Sequence, residues 1–224
     1  MEFILRAFDF LVHLSAHLDG LVSSYGGFVY LFLFLVVFLE TGVVVAPFLP
    51  GDSLLFAAGA VASRGGLNVF ILIVVFISAS ILGDMVNYWV GRFFGEKMLA
   101  RYPRLVKPIY IERTRDFFAR YGGKTIVLCR FVPMIRTIAP FLAGAGEMSY
   151  KKFTYYNVMG AVLWVFIFVP AGYFFANLPF VEENFTLVLL GVIFVSLLPA
   201  VIEVVSEWRR ARSLRQKRQE VISE

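Results

Sequence analysis

The chain has 224 residues, of which 59% are hydrophobic and only 17% charged. A soluble domain is roughly 45–50% apolar and about 25% charged, so the surplus requires lipid as its solvent. The net charge of +5 does not imply nucleic acid, because the basic residues fall in two blocks beside apolar runs. One cysteine, Cys129, and two histidines, His13 and His17, exclude an internal disulfide and leave no CxxC or histidine-rich metal motif. No metal or cofactor is expected, apart from the proton as a coupling ion.

Residues 1–25 carry Glu2, Arg6, Asp9, His13 and His17 at spacings of four, three, four and four. That period places them on one face of a helix. An amphipathic helix lying at the membrane interface or against the rest of the protein is predicted. A cleaved signal would have a basic start and an unbroken apolar core instead.

Residues 28–62 form an apolar stretch interrupted by Glu40, Gly42, Pro47, Pro50 and Gly51. A straight span of ~30 Å of hydrocarbon needs about 20 uninterrupted residues, and proline removes helix hydrogen bonds. Broken backbone is tolerated at membrane depth only inside protein or beside water. The stretch therefore reads as a re-entrant hairpin of two half-helices.

Residues 67–94 are long enough for a full span, with Asp84, Asn87 and Tyr88 in the later half. Residues 95–124 follow as a partly helical loop with eight basic and three acidic residues. Residues 125–148 repeat the broken pattern, with Arg130, Pro133, Arg136, Pro140, Gly144 and Gly146. They are predicted to form a second re-entrant hairpin. Spans at 153–177 and 185–205 complete the membrane part, and the tail from 209 to 224 has six basic and two acidic residues.

The excess of lysine and arginine places the 95–124 loop and the tail in the cytoplasm. Counting crossings, the loop at Arg64 is then periplasmic and the two hairpins dip in from opposite faces. The motif Ala46-Pro47-Phe48-Leu49-Pro50-Gly51 recurs as Ala139-Pro140-Phe141-Leu142-Ala143-Gly144. Inverted repeats whose broken helices meet at the midplane are how many secondary transporters build a substrate site. The expected fold is a single all-α integral membrane domain. It is an inverted repeat of two re-entrant hairpins, each followed by a transmembrane helix, with an N-terminal amphipathic helix and a C-terminal span.

The ionisable residues in these segments are Glu40, Asp52, Asp84, Arg130 and Arg136, with Glu147 at a cytoplasmic end. A charge at a helix centre costs at least ~2.5–3.5 kcal/mol on insertion scales, so such residues pair and serve function. Acids on one hairpin and bases on the other invite pairing where the hairpins meet, either as a salt bridge joining the repeats or as a site for an anion and a proton. Arginine's planar fork matches phosphate in two hydrogen bonds, which suits Arg130 and Arg136 to an anionic headgroup. Free helix ends at Pro47–Gly51 and Pro140–Gly144 would add N–H groups that favour anions. Desolvation disfavours an ionised carboxyl and a neighbouring guanidinium favours it, so Glu40 and Asp52 could exchange protons as an anion comes and goes. Asp84, Asn87, Tyr88 and Gly91 share a helix face, with Arg92 beside them; this patch can serve hairpin packing or a proton path. Cys129 has no histidine base near it in sequence. Tyr155, Tyr156, Trp164, Tyr173 and Trp208 read as interface or packing aromatics.

Several stretches resemble the DedA family, whose module is shared with eukaryotic lipid scramblases of the VTT type. They are Glu40-Thr41-Gly42, Pro47-Phe48-Leu49-Pro50-Gly51-Asp52-Ser53-Leu54-Leu55, Gly83-Asp84 to Gly91-Arg92, Phe131-Val132-Pro133, and Arg136-Thr137 to Pro140, Ala143 and Gly144. The resemblance covers about residues 25–205. It implies a multi-pass protein of the bacterial inner membrane with a cytoplasmic C-terminus. It further implies a flippase for undecaprenyl phosphate or a related anionic polyprenyl phosphate or phospholipid, tied to proton-motive force and envelope homeostasis. The family's essential acids and arginines fall on Glu40, Asp52, Arg130 and Arg136. The alternative is a proton-coupled transporter of a small solute or cation, with the arginines as internal counter-ions. No enzyme is expected, since the membrane segments contain no histidine base.

Overall fold

The computed structural model describes residues 14–42, 51–101 and 108–176, with isolated positions 178, 188 and 191. The N-terminal part of the predicted amphipathic helix, Pro47 and Pro50, the span at 185–205 and the tail at 209–224 lie outside the described residues. Among the described residues every regular element is helical.

Helix α1 (Leu14–Tyr25) ends where Gly26 adopts φ +52 and its N–H bonds the Val22 carbonyl at 2.9 Å. It lays the buried Leu18 into the core and packs on α3. Its Asp19 meets Arg64 at 3.1 Å. Helix α2 (Phe28–Gly42) buries Val29, Leu33, Val37, Glu40 and Thr41, a face repeating every three or four residues. Helix α3 (Gly51–Ser63) is buried over most of its length. It stops at a glycine turn: Gly65 (φ +82) and Gly66 donate to the Ala62 and Val61 carbonyls, both at 3.1 Å. This pairing satisfies carbonyls that a helix end leaves orphaned.

Helix α4 (Val69–Arg101) starts at Asn68, whose side-chain oxygen accepts from the N–H groups of Phe70 and Ile71 at 2.9 and 3.2 Å. The charged 95–124 segment continues α4 to Arg101 and adds helix α5 (Pro108–Tyr121). After Gly122 (φ +54) come a 3-10 turn, helix α6 (Thr125–Leu128) and a second 3-10 turn, Cys129–Phe131. Val132 is extended (φ −122, ψ 101) and Pro133 opens helix α7 (Pro133–Leu142), as expected for a residue preceding proline. A π turn at Ala143–Glu147 leads to helix α8 (Tyr150–Phe175).

Two helices are long and apolar enough to cross a membrane, Val69–Gly95 and Tyr150–Phe175. Their outer faces are apolar: Phe70, Val74, Leu82, Phe93, Phe166 and Phe174 are exposed, while Ser80, Asp84, Asn87, Arg130, Arg136 and Asn157 are buried. A soluble protein rarely shows so much contiguous apolar surface; lipid is the solvent that accommodates it.

The packing is symmetric by exchange. Helix α2 lies along α4 and α3 along α8, while α6 lies along α8 and α7 with its π turn along α4. The two close crossings depend on glycine. A Cβ on Gly59 would strike the Val169 carbonyl, and one on Gly172 the Phe56 carbonyl; likewise Gly144 meets the Tyr88 carbonyl and Gly91 that of Phe141. Phe56-Ala57-Ala58-Gly59 is thus the packing counterpart of Phe141-Leu142-Ala143-Gly144. The shared motif of the sequence sets a different register, since Gly51 abuts Glu40 rather than a crossing helix. Composition makes short apolar matches common; the crossing demands only a small residue at the contact.

Helices α4 and α8 run antiparallel through two apolar cores. Early α4 (Leu72, Phe76, Ala79) and late α8 (Trp164, Val165, Val169) join the first core with α1, α2 and α3. Late α4 (Tyr88) and early α8 (Phe153) join the second with α5, α6 and α7.

Candidate functional site

Between the two cores lies a layer of polar side chains. Helix α2 ends there with Glu40 and Thr41, α3 begins there with Asp52, α4 passes through with Ser80, Asp84 and Asn87, and α8 with Asn157 and Trp164. Arg130 and Arg136 approach from either side of the Val132–Pro133 bend.

The layer divides into two clusters. In the first, Arg136 Nη1 lies 3.4 Å from Glu40 Oε1 and 3.6 Å from Asp52 Oδ1. The Gly51 N–H at the start of α3 donates to Glu40 Oε1 at 3.3 Å. Trp164 Nε1–H donates to Asp52 Oδ1 at 2.7 Å, and the Arg136 guanidinium sits 4.2 Å over the centre of the Trp164 ring. One indole thus holds both the acid and the base. Arg136 Nε and Nη2 and Glu40 Oε2 are buried without hydrogen-bond partners. With both acids ionised this cluster carries a formal charge of −1.

In the second cluster Arg130 Nη2 meets Asp84 Oδ2 at 2.5 Å and Asn157 Oδ1 at 2.6 Å, and Nη1 donates to Ser80 Oγ. Asn157 Nδ2 in turn donates to the Ile81 carbonyl at 3.2 Å. Gly160 makes room for the arginine, since a Cβ there would press on Arg130 Nε. This neutral network ties α4 and α8 to the turn before α7. Asn87 Nδ2 bridges the halves, donating to the Thr137 carbonyl at 2.7 Å and the Thr41 carbonyl at 3.4 Å.

The structure therefore brings Arg136 to Glu40 and Asp52, and Arg130 to Asp84. Arg92 is exposed, with its guanidinium 3.4 Å from the Tyr88 hydroxyl. Pro133 is the first residue of α7, whereas Pro140 lies inside it; the helix start in the second broken segment is therefore at Pro133 and not at Pro140–Gly144. Gly51 and Gly144 mark the start of α3 and the π turn. The side chain of Glu147 lies outside the described residues. Cys129 is buried, its thiol against the Ile126 carbonyl at 3.2 Å.

Ser80 and Asn157 escaped the sequence reading, and Trp164, expected there as an interface or packing aromatic, instead contacts Asp52 and Arg136. Asn157, Gly160, Ala161 and Trp164 recur at helical spacing within an uncharged span, one polar and small-residue stripe facing inward. That stripe was the available signal.

Among the described residues no group of three or more histidine, cysteine or carboxylate side chains is placed to hold a metal.

Lipid-facing apolar surfaces, exchanged helix pairs and a sealed layer of opposite charges define a polytopic membrane protein of the transporter kind. The VTT domain matches residues 49–174. Protein DedA of Escherichia coli K12 is 50% identical over 214 residues, covering 94% of this chain and 98% of that one. The chain belongs to the DedA family of VTT-domain membrane proteins. An uncharacterized membrane protein of Mycobacterium leprae is 38% identical over 80% of this chain and 79% of its own length. The inner membrane protein YghB of E. coli K12 is 32% identical over 70% and 72%. No solved structure matches.

Proposed function

We propose that this protein is a proton-coupled translocase that moves undecaprenyl phosphate, or a related anionic polyprenyl phosphate or phospholipid, across the bacterial inner membrane in support of envelope homeostasis. The observation that carries the reading is Arg136, buried between two carboxylates with two of its three nitrogens unpartnered. A buried donor without an acceptor costs about 1–3 kcal/mol or more when charged, and a phosphate oxygen would satisfy it. The guanidinium rests over the Trp164 ring, and its buried Nε and Nη2 are the donors left for a phosphate oxygen.

Charge accounting couples the anion to protons. A cluster already at −1 opposes a further anion strongly at low dielectric. Taking up protons on Glu40 and Asp52 removes that opposition. Anion arrival and proton uptake therefore go together, and release reverses both.

We read α2–α3 and α6–α7 as re-entrant hairpins. At 15 and 13 residues, α2 and α3 are about 22 and 20 Å long, short of the ~30 Å hydrocarbon core. The outer end of α2 touches the start of α4, where Tyr30 OH accepts from the Asn68 N–H at 2.7 Å. The inner ends reach the charge layer. In this arrangement the basic end, with α5, Lys151 and Lys152, faces the cytoplasm. The two hairpins then open the layer alternately to either leaflet, with the polyprenyl tail remaining in lipid. The protein acts as a carrier and not as an enzyme.

The net negative cluster also favours a second reading, a proton-coupled transporter of a small solute or cation. Reconstituted liposomes separate the two. Leaflet-resolved movement of a labelled polyprenyl phosphate, faster with an imposed pH gradient and lost in Arg136→Ala, is the expected result. Accumulation of a water-soluble solute with no movement of the lipid would replace the first reading with the second.

A further inference from the structure

Glu40 lies in the last turn of α2 and Arg136 in the first turn of α7. These two helices touch only sparingly, whereas each lies along α4. The spacing between acid and base is therefore set through α4.

Three residues of α4 stand four apart, Gly83, Asn87 and Gly91, and so share one face of the helix. At Gly83 the end of α2 comes close, since a Cβ there would strike the Thr41 hydroxyl and the Phe38 carbonyl. At Gly91 a Cβ would strike the Phe141 carbonyl of α7. Asn87 lies between these two contacts and is fully buried. Its Nδ2 donates to the Thr137 carbonyl at 2.7 Å and to the Thr41 carbonyl at 3.4 Å. A carboxamide nitrogen has two hydrogens to give, so it can serve both carbonyls at once.

The two acceptors are placed in the same way. Thr41 directly follows Glu40, and Thr137 directly follows Arg136. The Thr41 hydroxyl donates to the Val37 carbonyl at 2.9 Å, and it is the main chain of α2 that meets Asn87. A side chain can turn away from a lost partner, but a main-chain carbonyl carries the neighbouring residue with it. Glycine contacts fix how near each helix comes to α4; a hydrogen bond adds direction. Glu40 Oε1 and Arg136 Nη1 stand 3.4 Å apart, and at low dielectric their attraction depends steeply on that distance.

We propose that Asn87 is a positioning residue that sets the Glu40–Arg136 spacing by holding the backbone beside each charge against α4. The consequence for transport rests on the translocase reading. Without Asn87 the two hairpins lose their shared reference on α4, and lipid movement slows.

The test is the strength of the Glu40–Arg136 coupling, read from melting temperatures of the full chain in detergent. Glu40→Gln, Arg136→Met and their double variant form a cycle with the parent, and the same cycle is repeated on Asn87→Leu. In the parent the cycle should be non-additive by roughly 3–6 °C, the range for residues in contact. On Asn87→Leu the non-additivity should fall by at least half. Asn87→Ser, whose hydroxyl is too short to reach both carbonyls, provides the same comparison where Asn87→Leu does not fold. Phe76→Leu, a change in the first core on the same helix, should lower the melting temperatures and leave the non-additivity at the parent value. An unchanged cycle on Asn87→Leu or Asn87→Ser would make Asn87 a packing residue and overturn the proposal. So would an additive parent cycle, or a loss on Phe76→Leu as large as on Asn87→Leu.

In liposomes Asn87→Leu should move a labelled polyprenyl phosphate about tenfold or more slowly than the parent, and parent-like movement would also overturn the proposal. No movement by the parent itself would refute the translocase reading, and the melting cycles would still decide the role of Asn87.

Discussion

Arg130 and Arg136 stand six residues apart in the sequence, yet the structure gives them different work, and replacing Arg130 with methionine tests the difference. The Arg130 side chain is 1% exposed and that of its partner Asp84 4%. Its two terminal nitrogens reach Ser80, Asp84 and Asn157. Removing one member of a buried ion pair costs about 3–5 kcal/mol, because the other charge is left unpaired. In a domain of this size each kcal/mol is worth about 2–4 °C, so Arg130→Met should melt roughly 6–20 °C below the parent in detergent. Adding Asp84→Leu removes the stranded carboxylate. Most of the loss should then return, giving a coupling energy of about 2 kcal/mol or more in the double-mutant cycle. The assay is thermal unfolding of the four proteins followed by intrinsic tryptophan fluorescence. If Arg130→Met melted within about 2 °C of the parent, or the double variant no higher than the single, Arg130 would not be the tie between α4 and α8.

Arg136→Lys keeps the charge but loses the planar fork and much of the stacking on Trp164; transport should fall about tenfold or more with little change in melting, and the converse pattern would assign Arg136 a structural role. Trp164→Phe retains a ring under the guanidinium but removes the N–H on Asp52, a charge-assisted bond worth about 1.5–3 kcal/mol. Lipid transport by it should drop on the order of tenfold while Trp164→Leu drops further, and indistinguishable Phe and Trp proteins would exclude the indole N–H from the site. Gly144→Ala and Gly59→Ala each push a Cβ into a backbone carbonyl of the crossing helix. Each should cost about 1–3 kcal/mol of stability, and a fully stable Gly144→Ala would contradict the close crossing with α4. Because the anion arrives with protons, binding of a polyprenyl phosphate should strengthen as pH falls, by about tenfold per pH unit for each proton taken up; flat affinity between pH 8 and pH 6, measured by lipid titration, would separate the anion from the carboxylates.

Residues 28–62 show how far a sequence reaches. Their apolar run, broken by Glu40, Pro47 and Pro50, specifies two short helices with a polar interruption, because proline geometry and the cost of buried charge act locally. The same local physics marks Val69–Gly95 and Tyr150–Phe175 as membrane-crossing helices. It also marks Glu40, Asp52, Asp84, Arg130 and Arg136 as the residues whose burial needs a reason.

Which acid meets which base is a different kind of fact. Asp52 and Trp164 are 112 residues apart, and Arg130 reaches Asp84 and not Glu40 because α6 lies along α8 while α7 turns toward α4. Gly91 and Gly144 set the crossing of α7 and its π turn with α4, and Gly59 and Gly172 that of α3 with α8, by fitting against backbone carbonyls, a steric condition that appears only when two helices are brought together. Composition and period report the solvent each segment prefers. The pairing of Arg136 with two acids and one indole follows from how close those segments can approach, and only the assembled helices decide that.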